Sequence, residues 1–285
     1  MATFLGIDCG ATNLRIGFVD KAGKLLSSKK LPSPLRYQPE NFAQIIKDQV
    51  RGQAFDDIGI GVPGPLDFKK GLILPSSNLG NITPIPILTK FEMVFNRKIY
   101  LDRDTNVALI GEAWVGGAKG LKEVVMITLG TGVGGAIMVE GKIERGEGGM
   151  AGELGHMYIE IENLRFKIEN LPRCGLGHEG CLEAMINSAK GLDDLATYLG
   201  YGLASIVDIF NPQKIIIGGG KMQFGLSAVR LSSPSKSDWR SDFLPAAIRI
   251  MKQKGVKPPV DKVQVSYAKL GEWSGVYGAA RLAMI

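Results

Sequence analysis

Four side chains able to bind a metal ion lie close together in this 285-residue sequence. They are His156, Cys174, His178 and Cys181, which account for both histidines and two of the three cysteines of the chain. Imidazole nitrogens and thiolate sulfurs are the ligands of structural zinc, which binds four of them in a tetrahedron. The spacing therefore predicts a closed Zn²⁺ site that fastens a loop with little core of its own. We interpret the isolated Cys9 as a small buried residue rather than a nucleophile.

A glycine-rich turn occurs twice, at residues 8–13 and again at residues 129–135. Glycines leave the backbone N–H groups of a tight turn accessible, and such groups bind phosphate oxygens. The second turn matches the G-x-G-x-x-G spacing of dinucleotide sites, but the strand-like residues 136–139 follow it where such a site needs a helix. Two glycine hairpins instead predict a clamp for the phosphates of a nucleotide.

Polar groups in these turns add to the predicted nucleotide site. The carboxylate of Asp8 and the hydroxyl of Thr12 suit a water-shelled Mg²⁺ ion and the β- and γ-phosphates. A third group of glycines follows the strand predicted over residues 214–217. The residues that we predict to bind the nucleotide are Asp8, Gly10, Thr12, Asn13, Thr131, Gly132, Gly134, Gly219 and Gly220.

The elements that must position these groups repeat along the chain. A strand, a glycine turn and a second strand are predicted over residues 4–19 and again over residues 124–139. Apolar residues at three- or four-residue steps predict a long helix over residues 192–210. The repeat predicts an α/β fold of two similar lobes with a cleft between them. The predicted lobes are residues 1–107, with 272–285 packing back on them, and residues 108–271.

The charge and the apolar pattern exclude several classes of protein. Lysine and arginine exceed aspartate and glutamate by 34 to 28, a net charge of +6, but the densest basic stretches are short and lack aromatic residues. This distribution indicates a solvated surface and predicts no nucleic-acid partner. The odd number of cysteines and the absence of a basic-then-apolar start predict no secreted disulfide framework. Because no apolar run approaches ~18 residues, we predict no membrane partner and a cytoplasmic location.

Six fragments carry a resemblance that extends along nearly the whole chain. They are GIDCGAT at residues 6–12, GVPGP at 61–65, DRDTN at 102–106 with Glu112, TLGTGVGG at 128–135, GELGH at 152–156 and GCLE at 180–183. In this order they resemble the ROK family (repressors, open reading frames and kinases) of sugar kinases. The resemblance implies the actin-like ATPase (ribonuclease H-like) fold.

The resemblance also implies ATP-dependent phosphorylation of a hexose hydroxyl, a step of carbohydrate metabolism, with Asp104 as the general base. A carboxylate within hydrogen-bond reach can accept the hydroxyl proton while the γ-phosphoryl group transfers. Asp104 also precedes a predicted helix, so it is equally suited to be its N-cap. Asp102, two residues earlier, is the alternative base. The sugar contacts implied by the resemblance are Asn78, Arg103, Asp104, Glu153, His156 and Glu183.

The substrate implied by the resemblance is glucose, converted to glucose 6-phosphate in glycolysis, because Glu153 and His156 together resemble the glucose and N-acetylhexosamine branches. The alternatives are an N-acetylmannosamine or fructose kinase of the same family. A ROK-type sugar-binding regulator would need a DNA-binding domain before the first strand. The partners implied are ATP with Mg²⁺, a hexose, and further copies of this chain in a homodimer or higher homo-oligomer.

Two positions depart from the family pattern. Arg103 stands where the family usually has Asn, and a cationic fork there can change the substrate preference, for example toward a sugar with an acidic group. Leu176 occupies the middle Cys position of the family's zinc pattern, while some fructokinase-like members carry a His where His178 lies. We therefore predict a structural Zn²⁺ ion bound by all four Cys and His residues. The alternative is a degraded site in which Leu176 packs and both cysteines are free thiols.

Overall fold

The computed structural model describes residues 2–35, 37–75, 79–80, 83–159, 171–220 and 239–285. The strands are β1 (Thr3–Cys9), β2 (Asn13–Asp20), β3 (Leu25–Pro32), β4 (Asp57–Val62), β5 (Leu66–Asp67), β6 (Leu72–Ile73), β7 (Ile99–Arg103), β8 (Val124–Leu129), β9 (Val133–Val139), β10 (Lys142–Ile143), β11 (Lys214–Gly218) and β12 (Gln264–Tyr267). The helices are α1 (Phe42–Gln49), α2 (Ile87–Phe95), α3 (Asp104–Trp114), α4 (Leu182–Ser188), α5 (Leu192–Phe210), α6 (Trp239–Lys254), α7 (Pro259–Lys262) and α8 (Ser274–Leu282), with 3₁₀ turns at Leu154–His156 and Gly271–Trp273.

Two five-stranded sheets have the same topology. Their strand orders are β3-β2-β1-β4-β7 and β10-β9-β8-β11-β12. In each sheet the glycine turn joins an antiparallel hairpin, β1–β2 or β8–β9, and the next two strands of the order run parallel. The internal repeat predicted from the sequence is therefore confirmed as a repeated sheet.

The chain divides into two compact units. The first unit contains Met1–Gly120, Ile143–Ala151 and Ala268–Ile285, and the second contains Leu121–Lys142 and Gly152–Tyr267. The boundary predicted after residue 107 falls inside α3, whose residues from 104 to 114 all belong to the first unit. The structure thus puts residues 108–120, 143–151 and 268–271 in the first unit, where the prediction had the second lobe. The physical reasons are the packing of α3 against α8 and, for residues 143–151, the hydrogen bonds from Arg145 to Asp102 and from Arg103 to the carbonyl of Ala151.

Close helix packing in the first unit depends on glycine. A side-chain carbon at Gly278 of α8 would overlap the backbone carbonyl of Val107 in α3, and one at Gly59 of β4 would overlap that of Ala279. The opposite face of the first sheet packs on α1 and α2, where the rings of Phe42 and Phe91 meet edge to face at 5.4 Å. The first sheet is therefore covered on both faces, as parallel strands require.

The second unit has its own core. One face of α5 buries Leu195, Leu199, Leu203 and Ile206 against the second sheet and α6, as the apolar spacing predicted. Asn211 ends the helix in the left-handed conformation at a φ of 42°. Among the described residues, no helix combines the length and the apolar character needed to cross a membrane.

Candidate active site

Predicted active-site segments lie at one edge of the first sheet. In the parallel register Asp8 of β1 pairs with Gly61 of β4, and Gly61 pairs with Asp102 of β7. The carboxyl ends of parallel strands open at the same edge, which is where α/β sheets place their ligands. The first glycine turn, the GVPGP loop and the DRDTN segment therefore share this edge.

The first glycine turn is closed by backbone hydrogen bonds. The N–H of Gly10 donates to the carbonyl of Asn13 at 2.9 Å, and the N–H of Ser33 donates to the carbonyl of Thr12 at 2.9 Å. The Thr12 side chain is exposed, while Asp8 and Gly10 are half-buried. The turn therefore has an exposed threonine close in sequence to a more enclosed carboxylate.

Asp8 belongs to a chain of charged groups. Arg15 lies between two carboxylates, with its Nη1 3.5 Å from Asp8 Oδ2 and its Nε 3.2 Å from Glu272 Oε2. Lys30 Nζ also contacts Glu272 Oε2, at 2.5 Å. Burial raises the pKa of Asp8 to about 6, although Arg15 acts in the opposite direction. Burial also opposes ionisation of Glu272, yet hydrogen bonds from Lys30 and Arg15 hold its pKa below the usual value.

The raised pKa of Asp8 predicts a pH-dependent cost to stability. Because the folded-state pKa of about 6 exceeds the ordinary 3.8, the folded protein keeps this proton to higher pH than the unfolded chain. The bound proton contributes its full stabilisation below about pH 4. As pH rises to about 6 the proton is released, and the free energy of unfolding falls by ~3 kcal/mol. We expect Asp8→Asn to remove this loss. The free energy of unfolding of the variant, relative to that of wild type, should therefore increase as pH rises through that window. Urea unfolding at each pH without nucleotide or metal measures it.

The control for this experiment is Asp48→Asn, which alters an exposed carboxylate of α1. Its free energy of unfolding relative to wild type should change little across the same pH range. A difference between Asp8→Asn and wild type that stays constant from pH 4 to pH 7 would contradict the prediction.

Asp102 is fully buried and both of its carboxylate oxygens are engaged. Its Oδ1 accepts hydrogen bonds from the backbone N–H of Arg103 and from Asn106 Nδ2, both at 2.7 Å. Its Oδ2 accepts from Arg145, at 2.5 Å from Nη2 and 3.1 Å from Nε. These contacts leave Asp102 poorly placed to accept a proton from a substrate.

Asp104 has a different environment two residues later. It is the first residue of α3, is only partly buried, and accepts a hydrogen bond on Oδ1 from the N–H of Thr105 at 2.7 Å. A carboxylate in the first turn of a helix is stabilised by the helix dipole. Gly61 lies against the backbone of Asp104, since a side-chain carbon there would come within 3.3 Å of the Asp104 Cα. Asp104 is thus the more accessible of the two carboxylates.

Arg103 and Glu112, from the same fragment, have buried backbone partners. Arg103 is 2% exposed and donates from Nη2 to the carbonyl of Ala151. Glu112 is fully buried, and its carboxylate accepts from the N–H groups of Gly117 (2.6 Å) and Leu270 (2.8 Å). It also accepts from Lys269 N (3.1 Å) and Ser274 Oγ (2.8 Å), which joins α3 to the segment leading into α8.

The second glycine turn is held by Glu183. The Glu183 side chain is 6% exposed at the start of α4, and its Oε2 accepts from the N–H of Val133 at 2.8 Å. A side chain at Gly132 would displace this carboxylate from the turn. Thr131 at the tip of the turn is exposed, and Gly134 follows in β9.

The remaining predicted nucleotide glycines follow a neighbouring strand. Thr128 of β8 pairs in parallel with Gly218 of β11, so the turns that follow these strands lie at the same edge of the second sheet. Gly219 has a φ of 97°, and a side chain there would overlap the backbone of Leu129. Gly220 is half-buried beside it. The structure therefore brings Thr131, Gly132, Gly219 and Gly220 to one edge.

The predicted sugar contacts of the second unit are near a 3₁₀ turn. Glu153 is exposed and precedes the turn, and its carbonyl accepts from the N–H of His156 at 3.0 Å. His156 ends the turn and is half-buried. Asn78, the other predicted contact, lies outside the residues that the structure describes.

The four predicted zinc ligands are brought together. The ligand atoms of His156, Cys174, His178 and Cys181 all lie within 4.8 Å of one another. Cys174 Sγ is 3.7 Å from His156 Nδ1, and the two imidazole rings are perpendicular with centroids 5.1 Å apart. His178 Nδ1 is buried and has no hydrogen-bond partner among the described residues. Burial raises the pKa of the Cys181 thiol, as does the adjacent Cys174.

The turn between the last three of these residues has a defined geometry. Cys174 N–H donates to the carbonyl of His178 at 3.0 Å, and Gly177, with a φ of 85°, donates to the carbonyl of Cys174 at 2.9 Å. Leu176 at the tip is 55% exposed, so it does not pack inward as the degraded-site alternative requires. Cys9 lies elsewhere, fully buried beside Ser33, and burial raises the pKa of its thiol.

Comparison with known proteins decides the family. The sequence profile of the ROK family matches residues 4–194. The chain belongs to the ROK family. A glucokinase from Halalkalibacterium halodurans is 28% identical over 334 aligned positions, which cover 98% of this chain and 94% of that protein.

Two solved ROK structures match over almost their full lengths. A ROK hexokinase from Thermus thermophilus has a TM-score of 0.73 and 30% identity, with 99% of this chain and 98% of that chain covered. A ROK family glucokinase from Streptomyces griseus, in complex with glucose and AMPPNP, has a TM-score of 0.79 and 26% identity, with 99% of each chain covered. The predicted actin-like ATPase fold is confirmed by these relatives.

Sequence reasoning missed two arginines of this ROK protein. Arg145 binds Asp102 and Arg15 binds Asp8 and Glu272, but none of the sequence fragments includes either arginine. Arg15 could have been found from the sequence, because a residue two past the glycine turn in an antiparallel hairpin lies opposite Asp8. Arg145 had no such signal, because it lies in the irregular segment after β10 and its partner Asp102 is in β7, 43 residues earlier in the chain.

Proposed function

We propose that this ROK family protein transfers the γ-phosphoryl group of ATP to a hexose hydroxyl, with glucose converted to glucose 6-phosphate. The observation that carries the proposal is the full-length similarity to the Streptomyces griseus glucokinase in complex with glucose and AMPPNP. The glucokinase from Halalkalibacterium halodurans, similar over 98% of this chain, supports the same substrate.

The contrast between two neighbouring carboxylates supports Asp104 as the base. Asp104 accepts the proton of the sugar hydroxyl as the hydroxyl oxygen bonds to the γ-phosphorus and the bond to the leaving ADP oxygen breaks. Asp102 is fully buried with both oxygens bonded to protein donors, so taking a substrate proton there would require breaking the contact with Arg145.

The glycine turns support the proposed nucleotide contacts. Backbone N–H groups in the two hairpin turns bind phosphate oxygens, and Gly219 and Gly220 contact the nucleotide at the edge of the second sheet. Mg²⁺ arrives with ATP as part of the substrate, and the Asp8 carboxylate orients its water shell. The proposed nucleotide contacts in the first unit are Asp8, Gly10, Thr12 and Asn13, and those in the second unit are Thr131, Gly132, Gly134, Gly219 and Gly220.

The sugar contacts are proposed from the family resemblance, and the geometry refines two of them. Exposed Glu153 and half-buried His156 are available to hydroxyl groups, and Asn78 is kept as a contact. Arg103 and Glu183 have backbone partners, so we propose that each fixes a backbone segment as well as contacting the sugar. A hydroxyl buried without a partner is costly, which is why several polar groups are needed.

We propose that the Cys and His cluster binds one structural Zn²⁺ ion. The two thiols and two imidazoles fit a tetrahedral site, and the partnerless buried Nδ1 of His178 supports metal binding. When bound, the ion supplies a fixed arrangement of the loop and of His156. The predicted homo-oligomer, the cytoplasmic location and the place in glycolysis stay predictions.

A panel of sugars tests the proposed function. With Mg²⁺ and ATP, release of ADP in a coupled assay should rise above the background ATPase rate with glucose more than with N-acetylmannosamine or fructose. A higher rate with N-acetylmannosamine or fructose than with glucose would make the protein a kinase of that sugar instead. If no hexose stimulates ADP release but a sugar binds measurably, the kinase proposal is wrong and a sugar-binding regulator is favoured.

A further inference from the structure

The segment Ile143–Ala151 is tied to the corner between β7 and α3 at two points. Arg145 donates two hydrogen bonds to Asp102 at the end of β7. In the opposite direction, Arg103 donates to the carbonyl of Ala151. The segment also closes on itself, because the N–H of Ala151 donates to the carbonyl of Arg145 at 3.0 Å. All of these groups belong to the first unit.

The pair of Arg145 and Asp102 is unequal in exposure. The Asp102 side chain is fully buried, whereas Arg145 is 38% exposed, so the arginine brings a solvated charge to an enclosed carboxylate. Removing the partner of a buried charge is far more damaging than replacing both groups, because the remaining charge is left uncompensated. Asp102 therefore depends on Arg145 for its place in the fold.

The other oxygen of Asp102 holds the backbone around the base. Its Oδ1 accepts from the N–H of Arg103, immediately before Asp104, and from the side chain of Asn106, two residues after it. Asp102 thus bonds on both sides of Asp104 at the start of α3. A displacement of the Asp102 carboxylate would shift the first turn of the helix on which the base stands.

We propose that Arg145 is a positioning residue for the phosphoryl transfer, acting through Asp102 to fix the direction of the Asp104 carboxylate. The inference rests on the proposed kinase function and adds a residue to it. Misplacement of a reacting group by about 1 Å can cost about 100-fold in rate. Arg145 contacts no substrate in this scheme, so its loss acts on kcat rather than on KM.

The variants are Arg145→Met, Arg145→Lys and the double change of Arg145→Met with Asp102→Asn. Arg145→Met should lower kcat by about 10- to 100-fold, with the KM values for glucose and ATP within about threefold of wild type. Arg145→Lys should fall between Arg145→Met and wild type, because an ammonium replaces the charge but not the paired hydrogen bonds. The double variant should recover part of the kcat, since it leaves no unpaired buried charge.

The matched control is Arg51→Met, which removes an arginine that is 79% exposed and should leave kcat unchanged. All rates are compared at a temperature where circular dichroism shows each variant to be folded. If Arg145→Met does not fold, Arg145→Lys and the double variant decide. A kcat within twofold of wild type for folded Arg145→Met would overturn the proposal, as would a rise in KM with kcat unchanged.

Hydrogen exchange separates this inference from the proposed function. In Arg145→Met, the amides of residues 103–107 should exchange faster, while those of β8 and β9 in the second unit should not change. Unchanged exchange at residues 103–107 would overturn the positioning role. If wild type phosphorylates no hexose, the proposed function fails, and the exchange result still decides whether Arg145 orders the corner.

Discussion

Replacing Asp104 with Asn should lower kcat for glucose phosphorylation by about 10²- to 10⁴-fold, the range expected for loss of a general base. The amide keeps the shape of the side chain but cannot take the proton of the sugar hydroxyl. Asn gives up the interaction of a carboxylate with the helix dipole, which is worth about 0.3–1 kcal/mol, but its oxygen can still accept from the N–H of Thr105. The fold and the nucleotide affinity should therefore be nearly unchanged.

The measurement combines coupled ADP release with nucleotide binding and thermal unfolding of the same preparation. Asp48→Asn, on the exposed side of α1, should retain full activity and serves as the control. Asp104→Asn with wild-type kcat would mean that another group is the base. Asp102→Asn should differ from Asp104→Asn by losing stability as well as rate, because it disturbs a buried pair with Arg145.

Local patterns in the sequence predicted much of the fold. The apolar spacing predicted a helix over residues 192–210, which are the bounds of α5, and the repeated hairpin predicted a repeated sheet. The predicted lobe boundary at residue 107 differs from the structure because it depends on which sheet α3 packs against. That choice rests on contacts such as Gly278 against Val107, between residues far apart in the chain.

The same difference between local and distant information holds for the site. The spacing of the four metal-binding residues predicted a cluster, and the structure brings their ligand atoms together. The sequence left Asp102 and Asp104 as alternatives because both lie in one short segment. The burial of Asp102 and its pairing with Arg145, which both come from the fold, distinguish the enclosed carboxylate from the accessible one.

Removing zinc should destabilise the loop that carries His156. We expect about one zinc per chain in purified protein. The unfolding temperature should be lower after chelation, because the free energy of metal binding adds to the free energy of unfolding. Cys181→Ser should lose the metal, since a buried hydroxyl is a poor substitute for thiolate in a site of two sulfurs and two nitrogens. Elemental analysis and thermal unfolding with and without chelator measure both effects.

Cys9→Ser gives the matched control, because Cys9 is equally buried but lies outside the cluster. It should keep one zinc per chain and its response to chelator.

The effect of zinc removal on activity tests the role of the ion. A structural zinc should change KM for the sugar through His156 more than it changes kcat. Less than about half a zinc per chain in wild type, or an unfolding temperature unaffected by chelator, would contradict the site. Since Leu176 is exposed and does not fill the space among the four ligand atoms, a metal-free cluster would leave the buried Nδ1 of His178 without a hydrogen-bond partner among the described residues.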